Sequence, residues 1–200
     1  KSLASVTIPQ SVTTIGKEAF KNCKSLSNVN IPNSVTTIGE QAFAYCEKLT
    51  SMDIPNSLTT VESGTFRDCK KLTSVNIRNG VKTIGMEAFQ NCKSLSNINI
   101  PNSVTSIGES AFYHCDSLTN INMPNSVKSI GRDAFAYCKK LVNVTIPNSL
   151  TTIESGTFSE RKKEKEEERS EDYRKRRIVY NGEEMTFLEY INKLRNKDDA

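Results

Sequence analysis

Residues 26–48 read Leu26-Ser-Asn-Val29-Asn-Ile31-Pro32-Asn-Ser-Val35-Thr-Thr-Ile38-Gly39-Glu-Gln-Ala42-Phe43-Ala-Tyr45-Cys46-Glu-Lys48, and this pattern returns every 23 residues. Leu3, Leu26, Leu49, Leu72, Leu95, Leu118 and Leu141 keep that interval, as do Phe20, Phe43, Phe66, Phe89, Phe112, Phe135 and Phe158. So do Cys23, Cys46, Cys69, Cys92, Cys115 and Cys138. No insertion or deletion interrupts the count, so the repeat organises the chain. Within it, Leu26, Val29 and Ile31 are spaced to point inward from a short strand, and Pro32 ends that strand by removing a backbone donor. Val35 and Ile38 form a second inward pair, and Gly39 suits a tight bend. Ala42, Phe43 and Cys46 lie three and four apart, a spacing that predicts one helical or 3₁₀ turn with a single buried face. One such coil holds too few apolar residues to fold alone. Stacked at about 4.8 Å, the coils share one continuous core.

These features predict an α/β-type repeat solenoid over residues 1–158: seven turns of a right-handed coil, with one short parallel strand per 23-residue repeat. The Leu26–Ile31 segment matches the strand signature of leucine-rich repeats. A longer period of 92 residues relates Leu58-Thr-Thr-Val61-Glu-Ser-Gly-Thr-Phe66 to Leu150-Thr-Thr-Ile153-Glu-Ser-Gly-Thr-Phe158 and points to duplication of a four-coil block. The strings IPNSVTTIGEQAFAYC and IPNSVTSIGESAFYHC resemble the leucine-rich repeats of the BspA-like family, found in surface proteins of host-associated anaerobic bacteria and some parasitic protists. The resemblance covers residues 1–158. It implies a non-catalytic, adhesive, protein-binding module that is cell-surface or secreted, with a host matrix or plasma protein as partner. The matching residues are the core-forming ones. Arg78 departs from the pattern where the strand-ending Pro belongs, and Glu62 and Glu154 depart where the bend Gly belongs.

Charge excludes more than it assigns. The formal net charge is +4; residues 1–158 carry 15 Lys/Arg against 11 Asp/Glu, and residues 159–200 carry 12 against 12. Neither part has the strongly basic balance of a nucleic-acid footprint. No run of eighteen apolar residues offers a membrane-spanning helix. The chain opens inside a repeat, which is expected of a fragment of a longer protein. Nothing in the sequence sets an oligomeric state.

One cysteine per coil, beside Ala and Phe and with no second ligand nearby, reads as a buried free-thiol ladder rather than a zinc or disulfide framework. His114 is the only histidine, no base partner for a nucleophile can be named, and no phosphate loop appears. The chain is therefore expected to be no enzyme and to need no cofactor.

In a solenoid, function lies on the surface positions. The outward strand residues, Ser27/Asn28/Asn30 and their repeats, are small and neutral, with Asp53 the only charge. They read either as a hydrogen-bonding surface on a concave sheet or as a soluble ladder left by duplication. Tyr45, Tyr113, His114 and Tyr137 follow the ladder Phe near one edge. Tyr113, His114 and Tyr137 belong to adjacent coils and are expected to form an aromatic patch. Lys24, Lys48, Lys70, Lys71, Lys93, Lys139 and Lys140 make a stripe before each strand, read as solvated lysines or as an anionic-ligand site. The candidate partner-binding residues are Tyr113, His114, Tyr137, Lys139 and Lys140. An intracellular protein–protein interaction scaffold is the alternative, on the strength of the free thiols and the charged tail.

The tail differs in character. Residues 159–177 are charged with one apolar residue, Tyr173, and are expected to be a solvated helix or linker. Over 178–200, Ile178-Val-Tyr180 leads into Asn181-Gly182, a strong hairpin signal. Thr186 and Glu189 form a capping box before a helix bearing Phe187, Leu188, Ile191 and Leu194 on one face. The hairpin and helix are read as a terminal cap.

Overall fold

The computed structural model describes residues 3–154, 156–159, 177–180, 182–186, 189, 190 and 193. Each coil begins with a strand of three or four residues: β1 (Ser5–Thr7), β3 (Asn28–Asn30), β5 (Ser51–Ile54), β7 (Ser74–Ile77), β9 (Asn97–Asn99), β11 (Asn120–Asn122) and β13 (Asn143–Thr145). Pairing is parallel and offset by one repeat, as in Ser51↔Ser74 and Asn120↔Asn143. Side chains alternate as a strand dictates: Met52 and Ile54 are buried, whereas Ser51 and Asp53 are exposed.

The coil carries a second strand that the single-strand expectation omitted. β2 (Thr14–Ile15), β4 (Thr37–Ile38), β6 (Thr60–Val61), β8 (Thr83–Ile84), β10 (Ser106–Ile107) and β12 (Ser129–Ile130) also pair in parallel at the 23-residue offset. At two residues each, these strands are too short to leave an alternating signature in the sequence.

The expected helical turn is likewise replaced, by a chain of tight turns. Ala42 N–H donates to Gly39 O at 3.2 Å, Ala44 to Gln41 at 3.0 Å and Cys46 to Phe43 at 3.3 Å. The alternate amides of Gln41, Phe43 and Tyr45 instead donate to the next coil, at Ser63 O, Thr65 O and Arg67 O (2.9, 2.9 and 2.8 Å). Gln41 and Tyr45 have φ of 53° and 61°, the left-handed region that turns these amides outward. Coil thickness explains the choice. An α-helix with its side chains is about 10–12 Å across, too wide for coils stacked at strand spacing. The stacked rings from Phe20 to Phe158 lie 5.1–5.6 Å apart, so this wall advances almost as the sheet does.

The bend glycines are set by the same close stacking. A Cβ on Gly39 would lie 2.5 Å from Lys17 N, and one on Gly131 would lie 2.4 Å from Glu109 N, each in the preceding coil. Gly16, in the first coil, has nothing within 4 Å of that position. In the coils of Glu62 and Glu154 the glycine moves two residues on, to Gly64 (φ 61°) and Gly156 (φ 79°). There Thr65 and Thr157 replace the ladder Ala, and their hydroxyls donate to Glu62 O and Glu154 O at 2.7 and 2.8 Å. Arg78, in the Pro position, uses the N–H that Pro lacks, donating to Ile54 O at 3.3 Å.

The cysteines are free thiols. Five are fully buried, but Cys23 in the first coil is half-buried, because only one neighbouring coil covers it. Burial pushes the Cys46 thiol up to about 12 and holds Cys69, Cys92 and Cys115 well above the ordinary thiol value.

In the tail, β14 (Arg177–Tyr180) adds to β13 in parallel, setting Ile178 beside Val144. β15 (Glu183–Thr186) then returns antiparallel through a turn with Gly182 at φ 79°. Ile178 is buried, taking the inward place that Val144 holds one strand earlier. Glu189 Oε2 accepts from Thr186 N at 2.7 Å, and Glu189 N donates to Thr186 Oγ1 at 3.3 Å, which completes the capping box. Tyr190 follows, buried against Tyr180 with ring centroids 5.0 Å apart. The segment 160–176 and the apolar face of Phe187, Leu188, Ile191 and Leu194 lie outside the described residues.

Candidate functional site

Each coil has three corners: the Pro turn after the long strand, the Gly turn after the short strand, and the Cys turn leading to the next coil. The aromatic candidates gather at the Cys corner. Tyr113 and Tyr137 meet edge to face with centroids 5.0 Å apart and planes at 67°. His114 stacks on Tyr137 at 4.8 Å and 14°, and meets Tyr113 at 4.8 Å and 79°. All three rings are half-buried, so part of each faces solvent.

The backbone beneath them is a costly one. His114 and Tyr137 sit at φ 58° and 60°, in the second left-handed position of each coil. Asn22, Asp68 and Asn91 hold the same position elsewhere, and short Asn and Asp side chains adopt it most readily. Tyr45 shares it at φ 61° but stands between Asn22 and Asp68, with no ring on either side.

Lys139 joins the cluster through a residue that the sequence reading passed over. Asp116 Oδ1 lies 3.3 Å from His114 Nδ1, and Asp116 Oδ2 accepts from Lys139 Nζ at 2.7 Å. The signal was present in the repeat, since Glu47 and Asp116 are the only acids in a column otherwise made of lysines. Glu47 acts similarly, 3.4 Å from both Lys24 and Lys70, and these lysines hold its carboxyl below the ordinary carboxylate value. The basic stripe is therefore partly neutralised. Lys140 is exposed and makes no ion pair with any described residue.

The outer face of the long strands is mostly polar, and some of its side chains engage one another. Asn143 donates to Asn120 at 2.7 Å and Asn76 to Asp53 at 2.8 Å, with Arg78 3.9 Å from Asp53. A shallow open depression of about 270 Å³ lies there, lined in part by Ser51, Asp53, Asn76 and Asn97. Among the described residues, no group of three or more His, Cys, Asp or Glu is placed to hold a metal ion. No helix among them is long and apolar enough to cross a membrane.

The architecture has close counterparts. The model of the BspA type leucine-rich-repeat region matches residues 1–116 and 63–166, with six copies of the repeat. A leucine-rich cell surface protein from Faecalibacterium prausnitzii is 42% identical with a TM-score of 0.65, over 70% of this chain and 38% of that one. A leucine-rich repeat protein from Bacteroides ovatus is 30% identical with a TM-score of 0.54, over 74% of this chain and 44% of that one. The leucine-rich repeat protein of T. pallidum is 32% identical with a TM-score of 0.51, over 74% and 60%. The chain thus spans less than two thirds of each of these structures. No curated protein matches it. With the 23-residue register, the Phe and Cys ladders and the family match all falling on the same residues, the chain belongs to the BspA-type leucine-rich-repeat family.

Proposed function

We propose that this solenoid is a non-catalytic, adhesive binding module of a cell-surface protein, and that it takes a protein partner at the Cys corner around Tyr113, His114 and Tyr137. The observation that carries the reading is the convergence of three half-buried rings from two coils at 4.8–5.0 Å, with part of each ring facing solvent. Aromatic side chains combine apolar area with a polar tip, and they dominate binding hot spots. Leucine-rich-repeat solenoids are binding scaffolds, and the relative from F. prausnitzii is itself a cell surface protein. The partner we propose, on the BspA-like resemblance, is a host matrix or plasma protein. Lys139 and Lys140 add attraction for an acidic partner that weakens with salt. The free thiols do not favour an intracellular scaffold, since five of them are shielded from any oxidant by burial.

The experiment is capture of purified matrix and plasma proteins on the immobilised solenoid, comparing Tyr137→Ser with Tyr45→Ser. The two tyrosines occupy equivalent places in the duplicated blocks, but among the described residues only Tyr137 of the two has ring neighbours. Loss of binding in Tyr137→Ser alone is expected. Equal binding by both variants, or no captured protein at all, would overturn the reading.

A further inference from the structure

Charge is segregated between two corners of the coil. At the Gly corner, the three positions from the bend residue onward hold seven acids against Lys17 and Arg132, a net charge of −5. At the Cys corner, the two positions after each ladder Cys hold seven lysines against Glu47 and Asp116, a net charge of +5. Ion pairing does not erase this second charge. Glu47 and Asp116 engage Lys24, Lys70 and Lys139. Lys48, Lys71, Lys93 and Lys140 are exposed and form no ion pair with any described residue.

From this we infer that the Cys corner is a docking strip for a linear sulfated polysaccharide. The in-register stacking places the four lysines in two adjacent columns parallel to the solenoid axis. Lys48 and Lys140 are four coils apart, about 19 Å at strand spacing. The array follows the coil, with Lys93 one position earlier in its coil and Asp116-Ser117 in place of lysine in the next, and the coil rise is close to the advance of one sugar unit in an extended chain. A folded protein would want an apolar anchor between Lys48 and Lys93, and that stretch of the corner supplies none. Beside the lysines run Thr50, Thr73 and Ser96. Thr73 and Ser96 donate their hydroxyls back to the preceding coil, at 3.0 and 3.3 Å, which leaves their oxygens to accept from sugar hydroxyls. Lysine ammonium groups are mobile point charges, suited to sulfates that recur without fixed orientation. The strip runs beside the aromatic cluster and shares only Lys140 with the site proposed above.

The test is titration of the full chain with a heparin dodecasaccharide at 50 to 300 mM salt. The wild-type protein is expected to bind with a log–log salt slope of about −3, as four neutralised charges imply. Lys71→Gln/Lys93→Gln/Lys140→Gln should bind at least about tenfold more weakly, without a change in melting temperature. Lys17→Gln/Lys82→Gln/Lys128→Gln removes the same charge outside the strip and should stay within about twofold of wild type. Tyr113→Ser/Tyr137→Ser should keep heparin affinity, so failure here and failure of the protein-binding reading register separately. Absence of heparin binding at 50 mM salt, or equal loss in both lysine triples, overturns the inference. So does equally tight binding of polyglutamate or duplex DNA, which would make the strip a site for acidic protein or for charge alone.

Discussion

The thiol of Cys92 donates to the carbonyl oxygen of Phe66, 3.1 Å away in the preceding coil. The same bond recurs from Cys46 to Phe20, Cys69 to Phe43, Cys115 to Phe89 and Cys138 to Phe112, at 3.2–3.3 Å. Each of these five cysteines thus joins its coil to the one before, and burial favours the protonated thiol at Cys46, Cys69, Cys92 and Cys115. A thiol kept neutral in the fold but free to ionise near pH 8.5 in the unfolded chain favours unfolding above that pH. The stability contributed by Cys46, Cys69, Cys92 and Cys115 is complete below about pH 8.5 and is lost as pH rises toward 12, by about 1.4 kcal/mol per thiol per pH unit. Urea midpoints at pH 8, 9.5 and 10.5 should therefore fall, and Cys46→Ser/Cys92→Ser should halve the thiol part of the slope. A midpoint that is flat to pH 10.5 would contradict this.

Stacking through glycine gives a position-dependent prediction. A Cβ on Gly108 would meet Met86 N at 2.6 Å, whereas one on Gly16 meets nothing. Gly108→Ala should cost about 1–3 kcal/mol by forcing the coils apart, and Gly16→Ala should be neutral or slightly stabilising. Chemical denaturation of both variants decides it. Equal effects would show that local backbone conformation, not coil-to-coil approach, selects these glycines.

Much of this was legible before any coordinates, and what was not has a physical cause. The inward Leu, Val, Ile, Phe and Cys ladders follow from the 23-residue count, because a buried position tolerates little else. The turn wall did not follow: Ala42, Phe43 and Cys46 have helical spacing, yet coil stacking at strand distance sends every second amide across to the neighbour. The left-handed residues were hidden because Tyr45 and Tyr137 are poor markers of that conformation, unlike Asn22 or Asn91. Within the candidate site, the nearness of Tyr113, His114 and Tyr137 was readable from repeat position alone. The bridge through Asp116 required knowing that positions one coil apart lie side by side. Tyr190 went unmarked because its burial depends on how the hairpin folds back.

The left-handed tyrosines should carry a measurable cost. Tyr45 holds φ 61° with no ring partner among the described residues, so Tyr45→Asn is expected to raise stability by about 0.5–1 kcal/mol. Tyr137→Asn should gain less, since it gives up stacking on His114 worth about 0.5–1.5 kcal/mol. Thermal unfolding of the two variants checks the order, and a larger gain at Tyr137 would contradict it.

The tail hairpin takes the place of another coil. Ile178 is 1% exposed, in register with Val144, and β15 runs antiparallel to β14, breaking the parallel succession of the coils. Removing residues 159–200 should bare the edge of β13 and promote self-association. Ile178→Asp should destabilise the protein by about 2–4 kcal/mol through a buried charge or a detached hairpin. Sedimentation of the shortened chain is the check. A monomer that melts like the full chain would deny the hairpin its capping role.

The central claim is that partner binding centres on the Cys corner and not on the outer face of the long strands. Each neutral hydrogen bond from that face nets only about 0.5–1.5 kcal/mol, and some of its amides are already engaged, as Asn143 is with Asn120. The most direct measurement compares two double variants against whichever matrix or plasma protein the solenoid captures. Tyr113→Ser/Tyr137→Ser should weaken binding at least about tenfold, while Asn97→Lys/Asn120→Lys should leave it within about threefold. Loss of binding in the asparagine variant with the tyrosine variant unaffected would place the site on the sheet and contradict the account.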